Sequence, residues 1–189
     1  MPKIDFILSN KERFEIIVPN VDQKFTYYYE PTENLHRHDE VKMFFISEEF
    51  RWELGEDQLG PMLSQFKFVL DQALNQELSL NYINHKNFGI AVNNWYYYII
   101  NEDYGKYLIH STTQPLQAAL YNFAGKIFLE IFPLYPWTYR DPELSEQYYS
   151  YDEFIKNYKP YIVQEIPVNV AQQWQLQCKE LLISINYDF

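Results

Sequence analysis

The segment from residue 59 to residue 74 constrains the fold of this chain more than any other feature. Its large apolar residues recur at intervals of three and four: Leu59, Met62, Leu63, Phe66, Val69, Leu70, Ala73 and Leu74. Because Pro61 suits a first helical turn, this spacing predicts a helix over residues 61–76 with one apolar face. Such a face has to be buried, and the strand-like segments on both sides of the helix can cover it.

Strand patterns fill the chain before this helix. Four segments rich in β-branched and aromatic residues are separated by turn-forming residues. They are residues 3–9, 13–18, 24–30 and 41–47. Residues 31–40, in which Leu35 is the one large apolar side chain, predict a surface loop.

Strand patterns resume after the helix. The segments are residues 94–100, 106–111, 117–123 and 126–132. Their short connections contain Gly105 and Gly125, which can take a positive φ, as is typical of antiparallel hairpins. In the last segment Glu130 shares a strand face with Phe128 and Phe132. We expect Glu130 either to be desolvated, with a raised pKa, or to lie at a rim beside a Lys or Tyr side chain.

Two further helices are predicted near the C-terminus, over residues 151–158 and 168–185. In the second helix Trp174 and Cys178 follow the spacing of the apolar residues, so we expect Cys178 in the core. The order of strands, helix, hairpin-linked strands and helices predicts an α+β fold. We expect a single domain, residues 1–189, in which helices pack on a mainly antiparallel sheet.

The charge of the chain limits its partners. Fifteen Lys and Arg residues stand against 26 Asp and Glu residues, which gives a net charge of −11. Binding to nucleic acid depends on cations that displace counterions from phosphates, so we expect no nucleic-acid partner. The same net charge would attract a basic protein.

The cysteine content and the terminal sequence indicate a compartment. Cys178 is the one cysteine, which excludes an intramolecular disulfide and a cysteine-built zinc site. The N-terminal residues lack the pattern of a signal peptide, and no stretch reaches the roughly 18 apolar residues of a spanning helix. We therefore expect a cytoplasmic protein that does not associate with membranes.

Motifs for catalysis are weak in this sequence. His36 and His38 would point to the same side of an extended segment, and Asp39 and Glu40 beside them could add oxygen ligands for a metal. No nucleophile elbow is present. We assign no catalytic residue, cofactor or metal to the chain. A small metal-dependent hydrolase that uses His36 and His38 remains an alternative.

The stretch DPELSEQYYSYDE, residues 141–153, has five carboxylates, three tyrosines and neither Lys nor Arg. Uncompensated carboxylates are costly to bury, so we expect them to face water or a partner. Tyrosines supply large, stiff contact area of the kind enriched at protein interfaces. Asp152 and Glu153 also suit the N-terminus of the helix over residues 151–158. The predicted partner-binding residues are Asp141, Glu143, Glu146, Tyr148, Tyr149 and Tyr151.

Over nearly its whole length the chain resembles immunity proteins of bacterial polymorphic and contact-dependent toxin systems. The segments FEIIVPNV and LYNFAGKIFLEIFPLYPW and the tryptophan-bearing C-terminal helix carry this resemblance. It implies a small, acidic, cytoplasmic α+β protein that is not an enzyme. Such a protein binds and neutralises a cognate toxin, here expected to be basic. A structural or oligomeric accessory domain is a further alternative.

Overall fold

A computed structural model describes residues 3–18, 35–80, 88–99, 103–110, 115–138 and 141–187. The first four strands form one antiparallel sheet, in the spatial order in which they occur in the chain. They are β1 (Lys3–Ile7), β2 (Arg13–Ile17), β3 (Glu40–Ile46) and β4 (Arg51–Gln58). A bulge between β3 and β4 leaves Leu54 without a partner opposite it, because Phe44 pairs with Glu53 and Met43 pairs with Gly55.

A second antiparallel sheet and four helices complete the described fold. The strands of this sheet are β5 (Leu116–Phe123), β6 (Lys126–Pro133) and β7 (Ile162–Ile166), with β6 in the centre. The helices are α1 (Leu59–Leu74), α2 (Phe88–Tyr98), α3 (Tyr151–Lys156) and α4 (Val168–Ser184). A short 3-10 helix spans Gly105–Tyr107.

Helices α1 and α4 bury the inner face of the first sheet. Phe66 on α1 meets the rings of Phe6 and Phe14 at centroid distances of 5.1 and 5.5 Å. The Trp174 indole on α4 lies 5.6 Å from Phe14 and donates a hydrogen bond to the Ile7 carbonyl oxygen. Cys178 is buried in the same core, and burial raises the pKa of its thiol well above the ordinary value.

The predicted α+β class with antiparallel strands is confirmed. Helix α1 has the predicted apolar face, although it begins two residues before Pro61 and ends at Leu74. The hairpin of β5 and β6 turns at Ala124 and Gly125, which have φ values of 51° and 75°. Positive φ at both central residues matches the twist that a two-residue hairpin needs, so the role predicted for Gly125 is correct.

Several strand predictions are wrong. Residues 94–98 belong to α2, whose buried residues Phe88, Gly89, Val92 and Asn93 follow helical spacing. The strong strand preference of consecutive tyrosines conceals that spacing, because strand preference depends on the packing environment. Residues 106–107 belong to the 3-10 helix, where Gly105 has no positive φ.

The other differences concern the sheets. The strands form two sheets instead of one, and the sequence patterns did not predict β4 or β7. Neither strand has a clear alternation of apolar and polar residues. Strand β4 contains four charged residues, and β7 is mostly half-buried or exposed. The strand predicted over residues 24–30 lies outside the described residues.

Candidate functional site

The acidic stretch forms an exposed turn that leads into α3. Asp141 and Glu143 are exposed, and Glu146 is half-buried. The Glu146 carboxylate accepts a hydrogen bond from the Glu143 backbone N–H at 2.8 Å, and the Glu146 N–H donates to the Glu143 carbonyl oxygen at 2.9 Å. The backbone of this turn is therefore fixed locally, and the Asp141 and Glu143 side chains face the solvent.

The last two acids of the stretch stabilise the start of α3. Ser150 is the N-cap: its hydroxyl accepts a hydrogen bond from the Glu153 N–H, while the Glu153 carboxylate accepts one from the Ser150 N–H at 2.9 Å. This reciprocal pair satisfies two backbone donors at the end of the helix. Asp152 lies in the same first turn, where negative charge is favoured.

The three tyrosines of the stretch have different environments. Tyr148 and Tyr149 are 60% and 36% exposed, whereas Tyr151 is 5% exposed. The Tyr151 ring stacks on Tyr97 at a centroid distance of 3.9 Å, and its hydroxyl donates to Asn94 Oδ1 at 2.9 Å. Tyr151 was expected at the surface, but the structure places it beneath the surface residues as a support for the stretch.

This difference in burial predicts unequal effects of mutation on stability. Tyr151→Phe removes the hydrogen bond to Asn94 and should lower the free energy of unfolding by about 1 kcal/mol. Tyr148→Ser removes an exposed ring and should change it by less than about 0.5 kcal/mol. Urea unfolding at neutral pH measures both values. Equal losses in the two variants would contradict the conclusion that Tyr151 supports the stretch from beneath while Tyr148 lies at its surface.

Aromatic residues from the loop after β6 lie behind the exposed tyrosines. The Trp137 ring lies 5.2 Å from Tyr148 and 4.5 Å from Tyr149, and Tyr135 packs against Tyr151 and Phe154. The Tyr135 hydroxyl donates to the Tyr149 carbonyl oxygen at 3.1 Å. Sequence reasoning did not assign these two residues to the site, although the segment LYPW, which directly follows a strand, contains both.

Seven acids elsewhere in the described chain form ion pairs with Lys or Arg. On the first sheet, the nearly buried Glu15 carboxylate contacts Lys3, Arg13 and Arg51. Further ion pairs engage Asp5, Glu48, Glu53, Glu56, Asp71 and Glu165. No Lys or Arg among the described residues forms an ion pair with Asp141 or Glu143. The exposed carboxylates of Asp141 and Glu143 therefore face the solvent.

A groove of about 700 Å³ opens beside the acidic stretch. Four aromatic side chains line it: Tyr149, Phe154, Tyr158 and Tyr161. Pro133 and Pro160 add apolar surface, and Glu153, Asn157 and Lys159 are the polar lining residues. This aromatic groove is lined by the end of β6, by α3 and by the segment between α3 and β7. Tyr149 belongs to both the groove and the acidic stretch.

A buried carboxylate lies behind the wall of the groove. Glu130 is 1% exposed, and its oxygens accept hydrogen bonds from the Gly89 N–H at 3.2 Å and from the Tyr121 and Tyr158 hydroxyls at 3.2 and 3.3 Å. Burial raises the pKa of Glu130 to about 7, against the opposing effect of these three donors. Glu130 is thus desolvated, as the first alternative predicted. It is paired with tyrosine hydroxyls, but the rim position of the second alternative is wrong, because Glu130 is buried on the central strand of its sheet.

Glu130 does not line the groove but holds Tyr158, one of the residues that line it. The hydroxyl of Tyr158 points to Glu130, and the Tyr158 ring contributes to the groove surface. Burial and the neighbouring Glu130 raise the pKa of Tyr121 and Tyr158, so both hydroxyls stay protonated and donate. The carboxylate therefore fixes the ring orientation of Tyr158.

His36 and His38 form a local turn. The His36 N–H donates to Asp39 Oδ2 at 2.8 Å, and the His38 N–H donates to His36 Nδ1 at 3.3 Å. His38 Nδ1 lies 2.9 Å from Gln58 Oε1. These contacts occupy one ring nitrogen of each histidine. Within the described ranges, no group of three or more His, Cys, Asp or Glu side chains is placed to hold a metal ion.

No family model, no curated protein and no solved structure matches the chain. In the part of the chain that the structure describes, no helix combines the length and the apolar character needed to cross a membrane.

Proposed function

We propose that the protein is a non-enzymatic inhibitor that binds and neutralises a cognate, basic protein toxin. The observation that carries this proposal is the solvent-facing charge of Asp141 and Glu143 beside the exposed Tyr148 and Tyr149. Exposed acids occur elsewhere in the described chain as well, and the combination of such acids with exposed tyrosine rings in one short segment supports this surface as the contact. A net charge of −11 adds a long-range attraction for a cationic partner.

The acids and the rings have separate tasks in this proposal. Exposed charges at the rim of an interface accelerate encounter and select a partner of opposite charge. Tyr148 and Tyr149 supply contact area, and Trp137 behind them holds both rings in place. A rigid, preformed surface loses little entropy on binding, which favours high affinity. The partner would be blocked at its active site or at its substrate-binding surface.

A capture experiment with charge-matched variants tests the proposal. The tagged protein is used to recover partners from its native host, and affinity for the recovered partner is measured over a range of salt concentrations. The triple variant Asp141→Asn, Glu143→Gln, Glu146→Gln should bind about tenfold more weakly at low salt, since each exposed pair contributes up to about 1 kcal/mol. Its affinity should also depend less on salt.

The control variant carries the same net charge. Glu49, Glu77 and Glu180 are exposed acids outside the acidic stretch, and their replacement by Gln should leave affinity close to the wild-type value. Recovery of a single basic protein that the control binds as tightly as the wild type and the first variant binds more weakly supports the proposal. Equal affinity of the two variants, or a partner without basic character, would refute it.

A further inference from the structure

The aromatic groove has the composition of a site that recognises a cation. The Tyr149 and Phe154 rings are nearly parallel, with an interplanar angle of 14° and a centroid distance of 6.4 Å. Tyr158 continues this wall, at 5.9 Å from Phe154. Aromatic faces attract ammonium and guanidinium groups through the ring quadrupole, most strongly where water is partly excluded.

Tyr161 extends the aromatic surface beyond this wall. It is 55% exposed and its ring lies 5.6 Å from Trp52 on β4. Burial, and to a smaller extent the neighbouring Tyr161, raises the pKa of Tyr149, and both residues line the groove. Burial also raises the pKa of Tyr158, so the hydroxyls of Tyr149 and Tyr158 stay protonated.

The charged residues at the groove indicate which kind of ligand it binds. Glu153 provides a carboxylate at the groove, and both Glu153 and the lining residue Tyr149 belong to the acidic stretch. Lys159 is the one cation among the lining residues. A guanidinium fits these surroundings better than an ammonium, because it is planar and stacks on aromatic rings. It can also donate to Glu153 Oε1, since the capping contacts from Ser150 engage Oε2.

We propose that the aromatic groove binds an arginine side chain, together with its flanking residues, presented by the cationic protein partner. This proposal rests on the proposed function and adds the chemistry of the contact. A volume of about 700 Å³ lies within the range of pockets that enclose small ligands, and therefore accommodates the arginine and its neighbours. The guanidinium stacks on the groove rings and its N–H groups face Glu153.

A peptide titration tests the groove without the partner. The probe is the acetylated, amidated peptide Gly-Arg-Gly-Arg-Gly, and the matched ligand control replaces both arginines by citrulline, which has the same shape without the charge. Binding is followed by chemical-shift changes of the backbone amides of residues 149–161 in the full chain. The arginine peptide should bind and shift these resonances, and the citrulline peptide should bind at least about tenfold more weakly.

Matched variants define the contact. Tyr161→Ser and Glu153→Gln should each weaken binding about three- to thirty-fold, the range of a partly desolvated cation–π or charge-assisted contact. Gln at position 153 keeps the capping box intact. Asp152→Asn removes the same charge from the same helical turn but away from the groove, and should leave affinity nearly unchanged. Lys159→Gln removes a like charge and should strengthen binding.

Failure of this inference is separable from failure of the proposed function. Equal binding of the arginine and citrulline peptides, or equal weakening by Glu153→Gln and Asp152→Asn, would overturn the inference. It would also fall if a captured partner depended on Asp141, Glu143 and Glu146 but not on Tyr161 or Glu153, and the proposed function would then stand. Peptide binding with the predicted variant pattern supports the groove even if no basic protein is captured.

Discussion

Gly89→Ala should destabilise the protein by about 3 kcal/mol, through steric overlap and a disrupted buried hydrogen-bond network. A Cβ at position 89 would lie 1.7 Å from the Tyr158 hydroxyl oxygen and 2.8 Å from Glu130 Oε1. The Tyr158 side chain would have to move, and the buried carboxylate would lose a donor. Alanine is favoured over glycine in a helix by about 1 kcal/mol, which offsets only part of this cost. Urea unfolding measures the difference.

A double-mutant cycle separates the steric cause from a general loss of helix stability. Tyr158→Phe removes the oxygen nearest to the added methyl group, so Gly89→Ala should cost clearly less in the Tyr158→Phe background than in the wild type. Gly105→Ala is the control, because a Cβ there meets Asp103 Oδ1 at 3.1 Å and no buried group. A Gly89→Ala protein as stable as the wild type would contradict the close approach of α2, Tyr158 and Glu130.

The stabilisation that Glu130 contributes to the free energy of unfolding should fall by about 2 to 3 kcal/mol as the pH rises from 5 to 8. The pKa of Glu130 is raised from its ordinary value of 4.5 to about 7 in the folded protein. Between these two values the folded state retains a proton that the unfolded state has released. The stabilisation is therefore complete below pH 4.5 and is lost as the pH rises through 7.

Glu130→Gln removes this titration and keeps the shape of the side chain. Its amide oxygen can accept the hydrogen bonds from Gly89 and Tyr158, and its NH₂ group can donate to the Tyr121 hydroxyl. The stability of the variant should exceed that of the wild type by more at pH 8 than at pH 5, and the difference between the two pH values should be about 2 to 3 kcal/mol. Parallel pH profiles of the two proteins would show that Glu130 is not desolvated as described.

The sequence predicted those parts of the fold whose local pattern agrees with their environment. Helix α1 has a regular apolar period and the β5–β6 hairpin has suitable turn residues, and both were located to within two residues at each end. The second half of helix α2, residues 94–98, was predicted as part of a strand, because its run of tyrosines has a strong strand preference. Its helical form depends on packing against the second sheet, where the Asn93 side chain donates to the Pro133 carbonyl oxygen and accepts from the Tyr135 N–H.

The candidate site was only partly visible in the sequence. The acidic stretch is contiguous, so its composition predicted exposed carboxylates, and Asp141 and Glu143 have that exposure. The burial of Tyr151 depends on a stack with Tyr97, which is distant in the chain and was assigned to a strand. The aromatic groove likewise combines Pro133 with residues 149–161, and no local pattern reports their proximity.

The most direct test of the account is a hydrogen–deuterium exchange comparison of the free protein and its complex with the captured partner. The turn at residues 141–150 exposes most of its side chains in the free protein, so a partner bound there should slow exchange in this segment and at the groove residues 153–161. Exchange in β1 and α4 should change little. Slowed exchange confined to other segments, with residues 141–161 unaffected, would contradict the claim that the acidic stretch and the aromatic groove form the binding surface.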